Sequence, residues 1–191
     1  MGRLLQGQGT RPRSRLEARA SQEHRLLLAM AQLVGARGYG AASVAMVLAR
    51  ARVSRKTFYV YFRDKEHCFL TAYEALTGIL IGELEMAPGS RAGRSASQLE
   101  RYLGALNADL LVARAFIIEV LSAGPRALVA RELVNARFAD LVFADVSSDP
   151  VVRRAIIGGV NEVVTSALLA GERDLTRLRP GLQRFVEAAS R

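Results

Sequence analysis

Residues 43–65 read SVAMVLARARVSRKTFYVYFRDK, two short amphipathic pieces around a tight break. Val44, Val47 and Leu48 recur at three and four residues and therefore share one helical face. Ser43 stands just ahead of that face, where its hydroxyl can accept from the unpaired amides of a first turn. Ser54 is placed in the same way before the second piece, whose apolar stripe is Phe58 and Phe62. Between the two pieces, Ala51-Arg52-Val53 leaves room only for a sharp turn. Two such helices joined by about three residues make a helix-turn-helix.

The polar residues of the same stretch suggest what it binds. Arg55, Lys56, Thr57, Tyr59 and Tyr61 crowd the second helix away from Phe58 and Phe62, and Lys65 opens the next helix behind the cap Asp64. A helix-turn-helix enters the major groove by the N-terminus of its second helix, with flanking groups on phosphates. Arginine and lysine read guanine edges, while threonine and tyrosine hydroxyls suit phosphate oxygens. The bland alternative is a solvated basic face, but here the charge lies on the docking helix itself.

Charge placement points the same way. Residues 1–66 hold 13 Lys/Arg against 4 Asp/Glu, and residues 67–191 hold 14 against 14. The whole net charge of +9 therefore sits in the N-terminal third, which suits a polyanion at one end and an electrically balanced domain at the other. The single cysteine, Cys68, excludes an internal disulfide, fits a reducing cytoplasm and falls on an apolar helix side as a small buried hydrophobe. His24 and His67 are far apart and lack a Cys/His/carboxylate cluster, so neither a metal site nor a cofactor is expected. No apolar run reaches the ~18 residues of a membrane span and no signal peptide opens the chain, so the expected location is cytoplasmic.

In chain order, residues 1–19 read as a disordered basic arm. Its Arg11, Arg13 and Arg15 could follow a DNA backbone or merely solubilise the chain. Residues 20–66 form the DNA-binding domain. A first helix, about Ser21–Arg37, carries the stripe Leu26, Leu27, Met30, Leu33 and Val34, and Gly38 ends it. Residues 67–191 read as helical throughout, and no stretch alternates with period two. A long helix from Asp64 to about Met86 is followed by breakers around Pro88-Gly89-Ser90, then Leu99–Leu106, Leu110–Leu121, a helix opened by Pro125, one capped by Asp149 and a last one near Leu182–Ala189. The expected class is all-α, a three-helix helix-turn-helix head before a helical ligand-binding and dimerisation domain.

Ser43, Ala51-Arg52-Val53-Ser54, Thr57-Phe58-Tyr59-Val60-Tyr61-Phe62 and Lys65-Glu66 together resemble the TetR (tetracycline-repressor-like) regulators. More loosely, Arg114–Pro125 and Gly158–Glu162 resemble C-terminal domains of that family. The resemblance implies phosphate contacts from Ser43, Ser54, Thr57, Tyr59 and Lys65, with Arg55, Lys56 and Tyr61 on base edges or neighbouring backbone. It implies a homodimer through the last two long helices, about 149–170 and 179–190, where Gly158 and Gly159 allow close approach. It also implies an inducer pocket among the middle helices, with Tyr102, Glu119, Asn135, Asn161 and Thr165 as the polar candidates to orient a small molecule. Two positions depart from the pattern. Arg52 replaces a turn glycine, so a left-handed residue costing ~1 kcal/mol is expected there, and Leu48 replaces a small alanine between the two helices.

The function expected is therefore a homodimeric repressor, released from a palindromic operator in double-stranded DNA by a small-molecule inducer. The alternative keeps DNA binding without an inducer, constitutive or gated by a protein partner. An α-helical enzyme is disfavoured, because no nucleophile–base pair, carboxylate dyad or phosphate-cradling loop stands at informative spacing.

Overall fold

The computed structural model describes residues 15–86 and 94–189, and every regular element among them is helical. The head comprises α1 (Arg15–Arg37), α2 (Val44–Ala51) and α3 (Arg55–Tyr61), joined by α4 (Lys65–Glu85) to the body. The body holds α5 (Arg94–Ala108), α6 (Leu110–Ile117), α7 (Pro125–Val142), α8 (Pro150–Leu169) and α9 (Arg179–Ala189). No described helix is long and apolar enough to cross a membrane.

Local chemistry sets most boundaries. Ser43 and Ser54 cap α2 and α3 by accepting from the Met46 and Thr57 amides, and Asp64 caps α4 by accepting from His67 N–H. Gly38, at φ 85°, closes α1 with its N–H on the Val34 carbonyl, 2.8 Å away. Arg52 is the one non-glycine residue at positive φ among those described, at φ 53° and ψ 50°. The left-handed turn expected there is present, with arginine bearing its strain.

Three boundaries differ from the sequence reading. The first helix starts at Arg15 rather than Ser21, because Arg15-Leu16-Glu17-Ala18-Arg19 contains no breaker and is composed of helix formers. The rest of the arm, including Arg11 and Arg13, and the breakers Pro88-Gly89-Ser90 lie outside the described residues. The α6 helix stops at Ile117 and tightens into a 3-10 turn over Glu119–Ser122, as helix ends approaching a proline commonly do. The α9 helix starts at Arg179, after a second 3-10 turn whose Asp174 cap accepts from Thr176 N–H.

Apolar burial divides into two clusters. One gathers Leu26, Met30 and Val34 of α1, Val47 of α2, Phe58 and Phe62 with Cys68, Phe69 and Tyr73, and it also takes in Ala115, Phe116 and Val120 from the body. The other joins Ile81 and Leu84 to Leu99, Leu103, Phe138, Val142, Ile156, Val160 and Leu182. Both α4 and α6 contribute to both clusters, so motion of either within the body must be felt by the head.

Candidate nucleic-acid interface and body cavity

On α3 the buried side is Phe58, with Phe62 just beyond the helix, and both are almost wholly excluded from solvent. The opposite side exposes Arg55, Lys56 and Tyr59, positions one and four apart that share one helical face. Exposed Arg50, Arg52 and Arg63 stand at the turn before α3 and the turn after it. Sequence reading assigned no contact to these three, although each was visible as a cation flanking the docking helix. The arrangement presents several exposed cations around a helix N-terminus, which can hold a phosphate backbone while the first turn meets base edges.

The remaining predicted contacts are already engaged within the chain. The Ser43 hydroxyl accepts from Met46 N–H at 3.4 Å, and the Ser54 hydroxyl accepts from Thr57 N–H at 3.1 Å and shares a 2.9 Å hydrogen bond with the Thr57 hydroxyl. Tyr61 is half-buried with its ring 6.0 Å from that of Phe62. Lys65 Nζ donates to the Tyr39 carbonyl at 2.9 Å and lies 4.1 Å above the Tyr39 ring. These residues shape the docking unit whatever else they touch.

Helices α4, α5, α6, α7 and α8, with Leu28 of α1, line a partly open cavity of about 360 Å³. That is within the size range of small-molecule sites. Leu76, Leu80, Leu106, Val112, Phe116 and Phe138 supply much of its apolar wall. Of the five predicted ligand residues, the structure brings three together on it. Tyr102 O–H donates to Asn161 Oδ1 at 2.9 Å, and Asn161 Nδ2 donates to Asn135 Oδ1 at 3.3 Å. Burial raises the Tyr102 hydroxyl above its ordinary pKa, so it stays protonated to donate.

The other two lie elsewhere. Thr165 is half-buried on α8 and absent from the cavity lining. Glu119 sits at the head–body joint, because the 3-10 turn after α6 carries it toward the head. Its Oε2 accepts from Tyr39 N–H at 3.2 Å, and its Oε1 lies 3.8 Å from Arg114. Sequence reading missed the cavity residues Tyr73, Asp109 and Arg131.

Asp109 joins the cavity to the head. It caps α6 by accepting from Leu111 and Val112, and it also accepts from Gln32 Nε2 on α1 at 2.6 Å. Gln32 Oε1 in turn accepts from Arg50 at the end of α2, at 2.7 Å. One chain of hydrogen bonds thus runs from the cavity wall to the helix-turn-helix.

Residues 26–72 match the family described as bacterial regulatory proteins, tetR family. No curated protein matches the chain in sequence. Among solved structures, the fatty acid degradation regulator FadR from Bacillus halodurans aligns over 86% of this chain and 97% of its own, with TM-score 0.77 and 19% identity. FadR from Bacillus subtilis, solved in complex with stearoyl-CoA, aligns over 87% and 98% with TM-score 0.77 and 16% identity. A transcriptional regulator from Aquifex aeolicus VF5 aligns over 87% and 98% with TM-score 0.67 and 20% identity. At these identities the solved structures share the fold of this chain.

Proposed function

We propose that this chain, whose residues 26–72 match the tetR family of bacterial regulatory proteins, is a homodimeric repressor of that family, released from a palindromic operator by a small molecule. One observation carries the reading. A cationic α3 face and a cavity lie in one molecule, and Asp109, Gln32 and Arg50 connect them by hydrogen bonds. A small molecule that repositions α6 would bias the head through that connection, lowering operator affinity by its differential binding to the two states.

In this reading Ser43, Ser54, Thr57, Tyr59 and Lys65 hold phosphates, while Arg55, Lys56 and Tyr61 meet base edges or neighbouring backbone. Residues 20–66 bind DNA, and residues 67–191 bind the ligand and a second copy. The pairing surface is the outer face of α8 and α9, where Val163, Leu169 and Phe185 are exposed. There Gly158 faces open space, and a Cβ at Gly159 would meet the Phe185 ring at 3.0 Å. That small side lets α9 lie close on α8. A dyad of two heads reads two half-sites about one helical turn or slightly more apart.

The test is selection of bound fragments from random duplex DNA, read for dyad symmetry, followed by a small-molecule screen for release from the selected site. Dyad-symmetric fragments with ligand release are expected. A monomer that ignores duplex DNA in dilute buffer overturns the reading, and a dimer that no compound releases leaves a regulator without an inducer.

A further inference from the structure

Most polar groups around the cavity are satisfied by the protein itself. The Asp109 carboxylate is occupied by Gln32 and two amides, and Tyr102, Asn161 and Asn135 form their own chain. Arg131 is an exception. It lines the cavity from α7, on the same face as Val134, Asn135 and Phe138. It is half-buried, and it has no hydrogen bond or ion pair with any described residue. The only other charged residues of the lining are Asp109, which is occupied, and Glu83, which is exposed and makes no ion pair with a described residue.

A second donor lines the same cavity. The Tyr73 ring is buried on α4, yet its hydroxyl has no hydrogen-bond partner among the described residues. Burial pushes this hydroxyl up to about 12, and Arg131 acts in the opposite direction on both Tyr73 and Tyr102. Arg131, Tyr73 and Tyr102 all line the same cavity. A half-buried, unpaired arginine costs free energy unless something answers its charge. Around it the wall is aliphatic and aromatic.

Resting on the regulator reading above, we infer that the cavity takes a small amphiphilic anion, its carboxylate or equivalent head on Arg131 and the Tyr73 hydroxyl and its hydrocarbon body among Leu76, Leu80, Val112 and Phe138. The planar fork of an arginine matches a carboxylate with two parallel N–H donors, and the phenol adds a third. The apolar wall then excludes water from the pair and strengthens it. A neutral molecule of the same shape fills the same space but leaves Arg131 unanswered, so the head charge sets specificity.

The test uses the full-length protein with three probes of one chain length: decanoate, decanol and decyltrimethylammonium. Binding is read by calorimetry, and release from the selected DNA site is read in parallel. Decanoate should bind about ten-fold or more tightly than decanol, the worth of one charge-assisted hydrogen bond, and the cation should bind weakest. Arg131→Gln should bring decanoate down to the decanol level and leave decanol unchanged. Arg131→Lys should restore part of the preference, and Tyr73→Phe should lower decanoate alone. DNA binding by each variant reports that it has folded. The inference falls if decanol or decanoyl-CoA matches decanoate, if Arg131→Gln keeps the anion preference, or if no probe binds. Release of DNA by decanol and decanoate alike would leave the regulator reading standing while removing the anion site.

Discussion

A Cβ placed on Gly35 would stand 1.8 Å from the carbonyl oxygen of Leu111. The last turns of α1 and the first turn of α6 therefore meet backbone to backbone, and only glycine permits it. This contact, with Glu119 on the Tyr39 amide and Asp109 on Gln32, seats the head on the body.

Gly35→Ala is expected to lower the melting temperature by several degrees. Overpacking against a backbone atom costs about 1–3 kcal/mol, which outweighs the helix-propensity gain of up to ~1 kcal/mol. Gly78→Ala on α4 is the control, since a Cβ there meets nothing within 4 Å and the residue is exposed. It should raise the melting temperature. Scanning calorimetry on the pair decides, and a stabilising Gly35→Ala would mean that the two helices are free to part.

Arg52→Gly should stabilise the protein by ~1 kcal/mol, because glycine occupies φ 53° without steric cost. Urea titration measures it. A lower midpoint with an unchanged slope would show that the arginine side chain contributes more than its backbone strain removes.

Lys65→Ala carries two separable consequences. Loss of the hydrogen bond and cation–π contact to Tyr39 should destabilise the head by roughly 1 kcal/mol. If Lys65 also holds a phosphate, the dependence of log K on log salt should flatten by about one unit, equally on all DNA sequences. An unchanged slope with reduced stability would assign Lys65 to the fold alone. Arg55→Ala or Lys56→Ala should instead alter base preference at particular operator positions.

Val163→Asp on the exposed face of α8 should produce a monomer by analytical ultracentrifugation and weaken operator binding, since one head buries too little surface for specific affinity. A variant that stays dimeric would move the pairing surface elsewhere.

Cys68 is wholly buried, and burial pushes its thiol from an ordinary value of 9.0 to about 12. The thiolate is the nucleophile, so native protein at pH 8 should resist iodoacetamide and react only after unfolding. The pH sign follows from the same shift. Below about 9 both folded and unfolded chains keep the proton, and the full stability is present. As pH rises from there toward 12, the unfolded chain releases the proton first and stability falls. A denaturant midpoint unchanged between pH 8 and pH 11 would contradict this.

The helices, their caps and the exposed cationic side of α3 were legible in the chain because they rest on contacts a few residues apart. Ser43, Ser54 and Asp64 act on amides three positions ahead, and the apolar spacing of Leu26, Met30 and Val34 or of Phe58 and Phe62 repeats within one or two turns. The left-handed Arg52 was implied by the resemblance, which places a turn glycine at that position. Such features are written in neighbouring residues and need no knowledge of the rest.

What no local pattern could reveal is where polar side chains meet across the fold. Glu119 read as a ligand candidate and became a link to the head, 80 positions from Tyr39, while Asp109 found Gln32 across 77. Gly35 drew no attention in the sequence, because the Leu111 backbone that requires it is 76 positions away. Arg131 became notable only when every other charge near it proved either occupied or exposed. Periodicity specifies which face of a helix is buried, but a partner is chosen by how helices pack, and packing sums contacts from the whole chain.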